Sequence, residues 1–263
     1  MKFNLRKIRF SIQVAMVTTI VISLVHCQPA NYQSADHQTQ TIAVSEAIGD
    51  DAQMETYIAP YRDTLEAQMN RVIGHSQKEL LSGFPESPLS NFVADLLLSE
   101  ARLHQNETPQ WQQPDLAIIN VKGLRAPIAQ GKITVRDIFQ LMPFENELVI
   151  IELSGQEVAS LFDYMASVDG DGMAGAKFGI RNGKAVKISI DQQQLNDDQT
   201  YYVATSDYLA NGGDHFDVFK NAKTKMGTGL KIRDLIIEHI ENLHSKGKFI
   251  NSSLDNRIYH VTK

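Results

Sequence analysis

The sequence predicts a single α+β domain built on a mixed β-sheet with packed helices, and three observations carry that reading. Apolar residues recur at helical spacing in several segments. Short apolar runs bounded by Gly, Pro, Asn and Asp read as strands. The two kinds alternate irregularly, with neighbouring runs close enough for hairpins, which fits an α+β domain better than a regular βαβ series. At 263 residues the chain could hold one large domain or two small ones, but no internal repeat and no second linker follow Asp50.

In chain order, Met54, Ile58, Tyr61, Leu65 and Met69 recur at helical intervals, so a helix is expected there, with Pro60 near its start or kinking it. A short strand is expected near Val72 and Ile73. Pro88 to His104 carries an apolar face of Leu89, Phe92, Val93, Leu96, Leu97 and Ala101, with Ser87 as N-cap and Pro88 at the first helical position. Asp115 to Asn120 (DLAIIN) reads as a buried strand. Thr134 to Leu141 reads as a helix, with Asp137 three residues after a Thr134 cap. A strand at Glu147 to Leu153 and a helix at Gly155 to Ala166 follow. Short strands are then expected around Phe178 to Ile180, Val186 to Ile190 and Tyr201 to Thr205, before a last long helix at Leu230 to Leu243 and a closing strand at Arg257 to Val261.

The first 50 residues read differently. Lys2, Arg6, Lys7 and Arg9 precede an apolar run over residues 10 to 25, and His26 and Cys27 follow it. That order is a secretory signal, and the run is short for a membrane span, which needs about 20 apolar residues. A lone cysteine at the end of such a run resembles a bacterial lipoprotein processing site, at which Cys27 becomes the lipid-bearing N-terminus. His26 departs from the small residue usual there. Residues 1–26 are therefore read as a lipoprotein-type signal peptide, 27–52 as a polar tether and 53–263 as the domain, placed outside the cytoplasm on a bacterial membrane. Without its four N-terminal basic residues the chain has 21 basic against 31 acidic residues, a net charge of −10. A chain this acidic is a poor partner for a nucleic acid polymer, which needs a basic face. The single cysteine excludes an intramolecular disulfide and any cysteine-based zinc cluster.

Several familiar motifs fail on context. Gly170, Gly172 and Gly175 satisfy G-x-G-x-x-G, but they follow a helix and precede a strand, the reverse of the dinucleotide-binding order. Asp169 and Asp171 look like the start of a calcium loop, yet the twelfth position is Ile180 where a bidentate glutamate is needed, so the stretch reads as a plain turn. Gly179 to Lys184 (GIRNGK) falls one residue short of a P-loop, continues with Ala185 and reads as a hairpin turn. None of the eight histidines forms H-E-x-x-H or a close His/Asp cluster, and no nucleophile elbow is present.

Two loop segments remain as candidates for a binding site. Asn120 to Arg125 (NVKGLR) follows a strand and is succeeded by the Pro143-Phe144-Glu145-Asn146 turn, and Tyr208 to Asp214 (YLANGGD) follows another. Strand ends are where ligand groups are commonly mounted. Arg125 offers a planar fork suited to phosphate. Phe144 and Tyr208 offer flat faces for stacking, each worth roughly 1–3 kcal/mol to a base. Asn146 or Asn120 can present donor and acceptor to a base edge, Asp214 can accept from two ribose hydroxyls, and Gly212 and Gly213 let backbone come close. On residue types alone, Phe144 and Tyr208 would equally serve as core aromatics, Asn211-Gly212-Gly213 as a turn and Arg125 as a surface charge.

The pattern N-x-x-G-L-R, G-K-I-T-V-R-D-I, M-P-F-E-N-E-L-V, L-S-G-Q-E-V and Y-Y-V-A-T-S-D-Y-L-A-N-G-G-D resembles the C-terminal, substrate-binding domain of the 5'-nucleotidase and UDP-sugar hydrolase family, from about Val72 to Phe219 and more weakly beyond. The resemblance implies that Phe144 and Tyr208 sandwich a base, that Asp214 binds ribose, and that Arg125, Asn120 and Asn146 hold phosphate and base. It departs at Gly83 to Ser87 (GFPES), where the family usually has a further phosphate-binding arginine, and at Lys122, where glycine is common and where the lysine either supplies the missing charge or points into solvent. Family members also carry an N-terminal metallophosphatase domain with two metals, for which the residues before Val72 offer no ligand set.

The resemblance therefore implies a stand-alone substrate-binding domain with no catalytic residue, metal or cofactor of its own. It would bind a nucleotide, nucleoside or nucleotide-sugar in nucleotide catabolism, inactive alone, with divalent metals on a separate metallophosphatase chain. A nucleotide-binding lipoprotein acting as scavenger or sensor is the alternative.

Overall fold

The computed structural model describes residue 41 and residues 49–107 and 112–261; the signal segment, Cys27 and nearly all of the tether lie outside the described residues. Residues from Ala52 onward form one compact unit. Its elements in order are α1 (Ala52–Met69), β1 (Val72–Ser76), α2 (Pro88–Glu107), β2 (Leu116–Ile119), β3 (Gly131–Thr134), α3 (Val135–Leu141), β4 (Glu147–Ser154), α4 (Gly155–Ser167), β5 (Gly172–Ala174), β6 (Ala176–Arg181), β7 (Lys184–Ile190), β8 (Gln193–Gln194), β9 (Thr200–Ser206), α5 (Asp207–Ala210), β10 (Lys225–Lys231), α6 (Ile232–Ser245) and β11 (Ile258–His260).

The central sheet has five strands in the order β10-β4-β9-β2-β5, and β9 is parallel to β2 while the other neighbours are antiparallel, so the sheet is mixed as the sequence predicts. Its two faces are both covered. Leu116 and Ile118 of β2, with Val149 and Ile151 of β4 and Val203 of β9, pack with Val158, Leu161, Phe162 and Met165 of α4 and with Phe178 and Ile190 of a second sheet, β11-β6-β7-β8. Ala117 and Ile119 point the other way, with Leu148 and Ala204, into a core made with Leu89, Val93, Leu96 and Leu97 of α2 and Ile236 and Ile240 of α6. A strand buried on both faces reads as a continuous apolar run, which is why LAII is so plain in the sequence.

Local signals fix the helix starts. The Ser87 hydroxyl accepts from Ser90 N at 3.2 Å ahead of Pro88, and Thr134 and Asp137 form a reciprocal capping box. A second box, Ser154 with Glu157, starts α4. Asn182 and Gly183, both at positive φ (52° and 70°), make the tight β6–β7 turn expected of GIRNGK.

The structure differs from the sequence reading in four strands and one helix face. β3, β5, β8 and β10 were not expected. β10 is an edge strand with an irregular register against β4; its exposure alternates, but two of its outward positions are Gly227 and Gly229 and one of its half-buried positions is Thr228, so the residue types carry no clear apolar pattern. β5 lies inside the glycine stretch read as a turn. It pairs with β2 because Gly172 has no Cβ, which would sit 2.6 Å from the Ile119 side chain. Helix α1 runs through Pro60 and leaves its apolar residues Met54, Tyr57, Tyr61 and Leu65 exposed, while Arg136 of α3 pairs with Glu66 at 2.6 Å. No helix among the described residues is long and apolar enough to cross a membrane.

Candidate functional site: a cleft at the ends of β2, α3 and β9

β2 delivers the chain to Asn120, after which Val121–Gly123 forms one 3-10 turn. Asn120 is buried, and its Nδ2 donates to Asp214 Oδ2 at 2.7 Å. Gly123 makes this possible, since a Cβ there would lie 2.7 Å from Asn120 Oδ1. Beneath the turn, Asp171 accepts from Val121 N at 2.5 Å and from Gly172 N at 2.9 Å. Burial pushes the Asp171 carboxyl up to about 6. Its two backbone donors and the charge of Lys122 pull in the opposite direction, and the charge of Asp214 adds to the rise.

The turn after α3 carries Phe144 and Asn146, and β9 ends at Ser206, whose hydroxyl caps α5 by accepting from Leu209 N at 3.1 Å. Asp207 joins the two segments, accepting from Glu147 N at 3.1 Å and from Tyr208 N at 2.8 Å. Asp214 sits at φ 48°, a left-handed conformation that aspartate tolerates better than most residues. It is held from three sides. The Tyr208 hydroxyl donates to its Oδ1 at 2.9 Å, the Tyr164 hydroxyl donates to its carbonyl at 2.5 Å, and Asn120 holds the other carboxylate oxygen. The hydrogen bond to Asp214 raises the Tyr208 phenol above its ordinary value. Gly213 lies against the Tyr208 ring, where a Cβ would come within 2.4 Å of a ring carbon.

Asn120, Arg125, Phe144, Asn146, Tyr208 and Asp214 line one cleft of about 340 Å³, completed by Lys122 and Gly123. Gly212 and Gly213 line an adjoining depression, shared with Asn146, Asp207 and Tyr208. Phe144 and Tyr208 are 42% and 46% exposed, so neither is a core aromatic. Among the described residues the side chains of Lys122 and Arg125 have no hydrogen-bond or ion-pair partner, so two cations line the cleft, with Lys122 also acting through its charge on Asp171. One N–H of the Asn120 amide is used on Asp214, and its second N–H and its oxygen carry no hydrogen bond among the described residues.

Wider hollows exist but are chemically less suited. One of about 380 Å³ lies beside Arg257, whose guanidinium is already paired with Asp95 and Asp255, each at 2.7 Å. Another of about 530 Å³ lies between α2 and α6 and shares that same arginine. Among the described residues no group of three or more His, Cys, Asp or Glu side chains is placed to hold a metal ion. Asp171, Asp207 and Tyr164 support the cleft without being singled out for it by the sequence, whereas Lys122, which the sequence offers as a replacement for the missing charge, lines it.

Residues 72–221 match the family described as 5'-nucleotidase, C-terminal domain. A 5'-nucleotidase of Vibrio parahaemolyticus is 26% identical over 219 residues, a match that takes in 80% of this chain and 37% of the relative. A trifunctional nucleotide phosphoesterase of Bacillus subtilis is 25% identical over 251 residues, 87% of this chain and 16% of the relative. Among solved structures, a 5'-nucleotidase precursor from Thermus thermophilus superposes with a TM-score of 0.66 at 24% identity, over 80% of this chain and 43% of that one. The NAD nucleotidase of Haemophilus influenzae gives 0.59 at 21% identity, over 81% and 42%. The chain thus spans less than half the length of these relatives. With a match over more than half of its residues and the same fold, it belongs to the 5'-nucleotidase C-terminal domain family.

Proposed function

We propose that the cleft binds a nucleotide, nucleoside or nucleotide-sugar, and that the chain is the substrate-binding half of a split 5'-nucleotidase whose metals reside on a separate metallophosphatase chain. The observation that carries the reading is the convergence on one cleft of two exposed aromatics, two unpaired cations and a carboxylate held in place from outside. Phe144 and Tyr208 offer their faces to the base, Asn146 meets the base edge, Asp214 accepts from the ribose hydroxyls, and Arg125 takes the phosphate. The names of the relatives supply the ligand class. Orientation of the ester is what such a chain contributes to catalysis, and it can do so in trans if the two chains associate. No residue of the cleft is given a metal to hold.

Calorimetric titration with nucleosides, nucleoside monophosphates and UDP-sugars tests the binding. Phe144→Ala or Tyr208→Ala should each remove roughly 1–3 kcal/mol of affinity. Wild-type protein that binds none of these at millimolar concentration rejects the reading.

The same proposal places the chain outside the cytoplasm, anchored through lipid on Cys27. The basic start, apolar run and lone cysteine support this. Mass spectrometry of membrane-extracted protein should find a lipid-modified N-terminus at Cys27, and an unmodified start downstream, or retained residues 1–26, rejects the anchor.

A further inference from the structure

The turn that brings Phe144 and Asn146 to the cleft is held by three consecutive residues at the junction of β10 and α6. Lys231 Nζ donates to the Glu145 carbonyl at 3.1 Å and pairs with the Glu147 carboxylate at 2.8 Å. Ile232 N donates to the Asn146 carbonyl at 3.0 Å. The Arg233 guanidinium donates to the Phe144 carbonyl at 3.4 Å and pairs with the Glu145 carboxylate.

Arg233 stands out among the three because its side chain is 8% exposed. The guanidinium lies 4.0 Å from the centre of the Phe139 ring on α3, just ahead of the turn, and among the described residues its Nε has no hydrogen-bond partner. Burying an arginine is costly, and an apolar side chain of similar size would fill the space at lower cost. Stability alone therefore does not account for it. What its fork reaches is the backbone of Phe144 and the side chain of Glu145. The Phe144 ring is 42% exposed, so packing holds it only in part and the placement of its backbone contributes to where it sits.

We propose that Arg233 is a positioning residue for base recognition: it sets Phe144 and Asn146 against the base without touching the ligand. This rests on the reading of the cleft as a nucleotide site. A planar, bidentate cation suits the task, because it fixes direction as well as distance.

The test compares a ligand with a base, AMP, and one without, ribose 5-phosphate, on wild type, Arg233→Gln, Arg233→Lys and Glu145→Gln. The last variant breaks the pair from its exposed side and so spares the buried position. Arg233→Gln should weaken AMP by about tenfold and leave ribose 5-phosphate within about twofold, because only the base meets Phe144 and Asn146. Arg233→Lys should lose less, and Glu145→Gln should shift in the same direction. Hydrogen exchange in the unliganded protein should quicken at the Glu147 amide, which donates to Asp207 at the end of the turn, in both Arg233 variants. Equal losses for the two ligands, or unchanged AMP affinity in Arg233→Gln, overturn the positioning role. Unchanged exchange at Glu147 overturns it without reference to any ligand. Wild type that binds neither compound, nor any of the nucleosides, other nucleoside monophosphates and UDP-sugars, with exchange still quickened in the variants, instead overturns the reading of the cleft and confines Arg233 to holding the turn.

Discussion

Asp214→Ala is expected to weaken ribonucleoside binding by about 30- to 1000-fold, or roughly 2–4 kcal/mol. The range follows from the chemistry of the carboxylate. A hydrogen bond to a charged group contributes about 1.5–3 kcal/mol, and a ribose presents two donors. Asn120 and Tyr208 already donate to the carboxylate, one to each oxygen. They hold it in place and also take part of its accepting capacity, so the gain from ribose is less than two full bonds. The loss should be specific. Adenosine should suffer, whereas adenine, which has no ribose, should bind as before. Asp214→Asn is the informative companion, since asparagine keeps the shape and tolerates the left-handed backbone at this position while removing the charge.

The same variants bear on the division of labour between two chains. If this chain orients the substrate for a separate metallophosphatase, mixing the two should accelerate phosphate release over the phosphatase alone, and Asp214→Ala should abolish most of that gain without touching the metals. Equal loss of adenosine and adenine would mark Asp214 as a prop for the loop. A mixture no faster than the phosphatase by itself would leave the chain a binding protein without an enzymatic partner, and metal-dependent turnover by this chain alone would reveal a catalytic group outside the cleft.

Much of this architecture was legible because its signals are local. Ser87, Thr134 and Asp137 announce helix starts within three residues, and the buried run of β2 and the GIRNGK turn are equally self-contained. The candidate site was legible only as residue types after strands, and the resemblance supplied their assembly. What escaped depends on partners far along the chain. Asp171 looked like part of a turn because the amide it holds, Val121 N, lies 50 residues away. Asp207 bridges to Glu147 across 60 residues, and Arg233 reaches Glu145 across 88. A sequence shows that a carboxylate or guanidinium is present but not which distant backbone group requires it. β10 escaped for a different reason: its exposure alternates, but with Gly227 and Gly229 outward and Thr228 among the half-buried positions the residue types do not display it.

Asp171 supplies the second large effect, on stability. An unfolded aspartate titrates near its ordinary value of 3.8, whereas in the folded protein the carboxyl is pushed up to about 6, chiefly by burial. Below pH 3.8 both states hold the proton and the group contributes no difference. As pH rises from about 4 to 6 the unfolded chain ionises first, so the folded state loses stability across this window, by about 3 kcal/mol once both are charged. Burial sets most of the effect and the groups that face the carboxyl adjust it: Val121 N, Gly172 N and Lys122 favour the charge, and Asp214 opposes it. Asp171→Asn keeps an oxygen for the two backbone donors and has no charge to bury. Urea unfolding from pH 4 to 8 should therefore show wild type losing stability relative to the variant between pH 4 and 6, with the difference levelling off above pH 6. Absolute stability of the variant is a poorer readout, because its new amide N–H₂ needs an acceptor and an unsatisfied one costs about 1–3 kcal/mol. That cost does not change with pH, so the slope isolates the carboxyl. Parallel curves for the two proteins would mean that Asp171 is solvated or differently paired, and that the Val121 turn is held by something other than a buried charge.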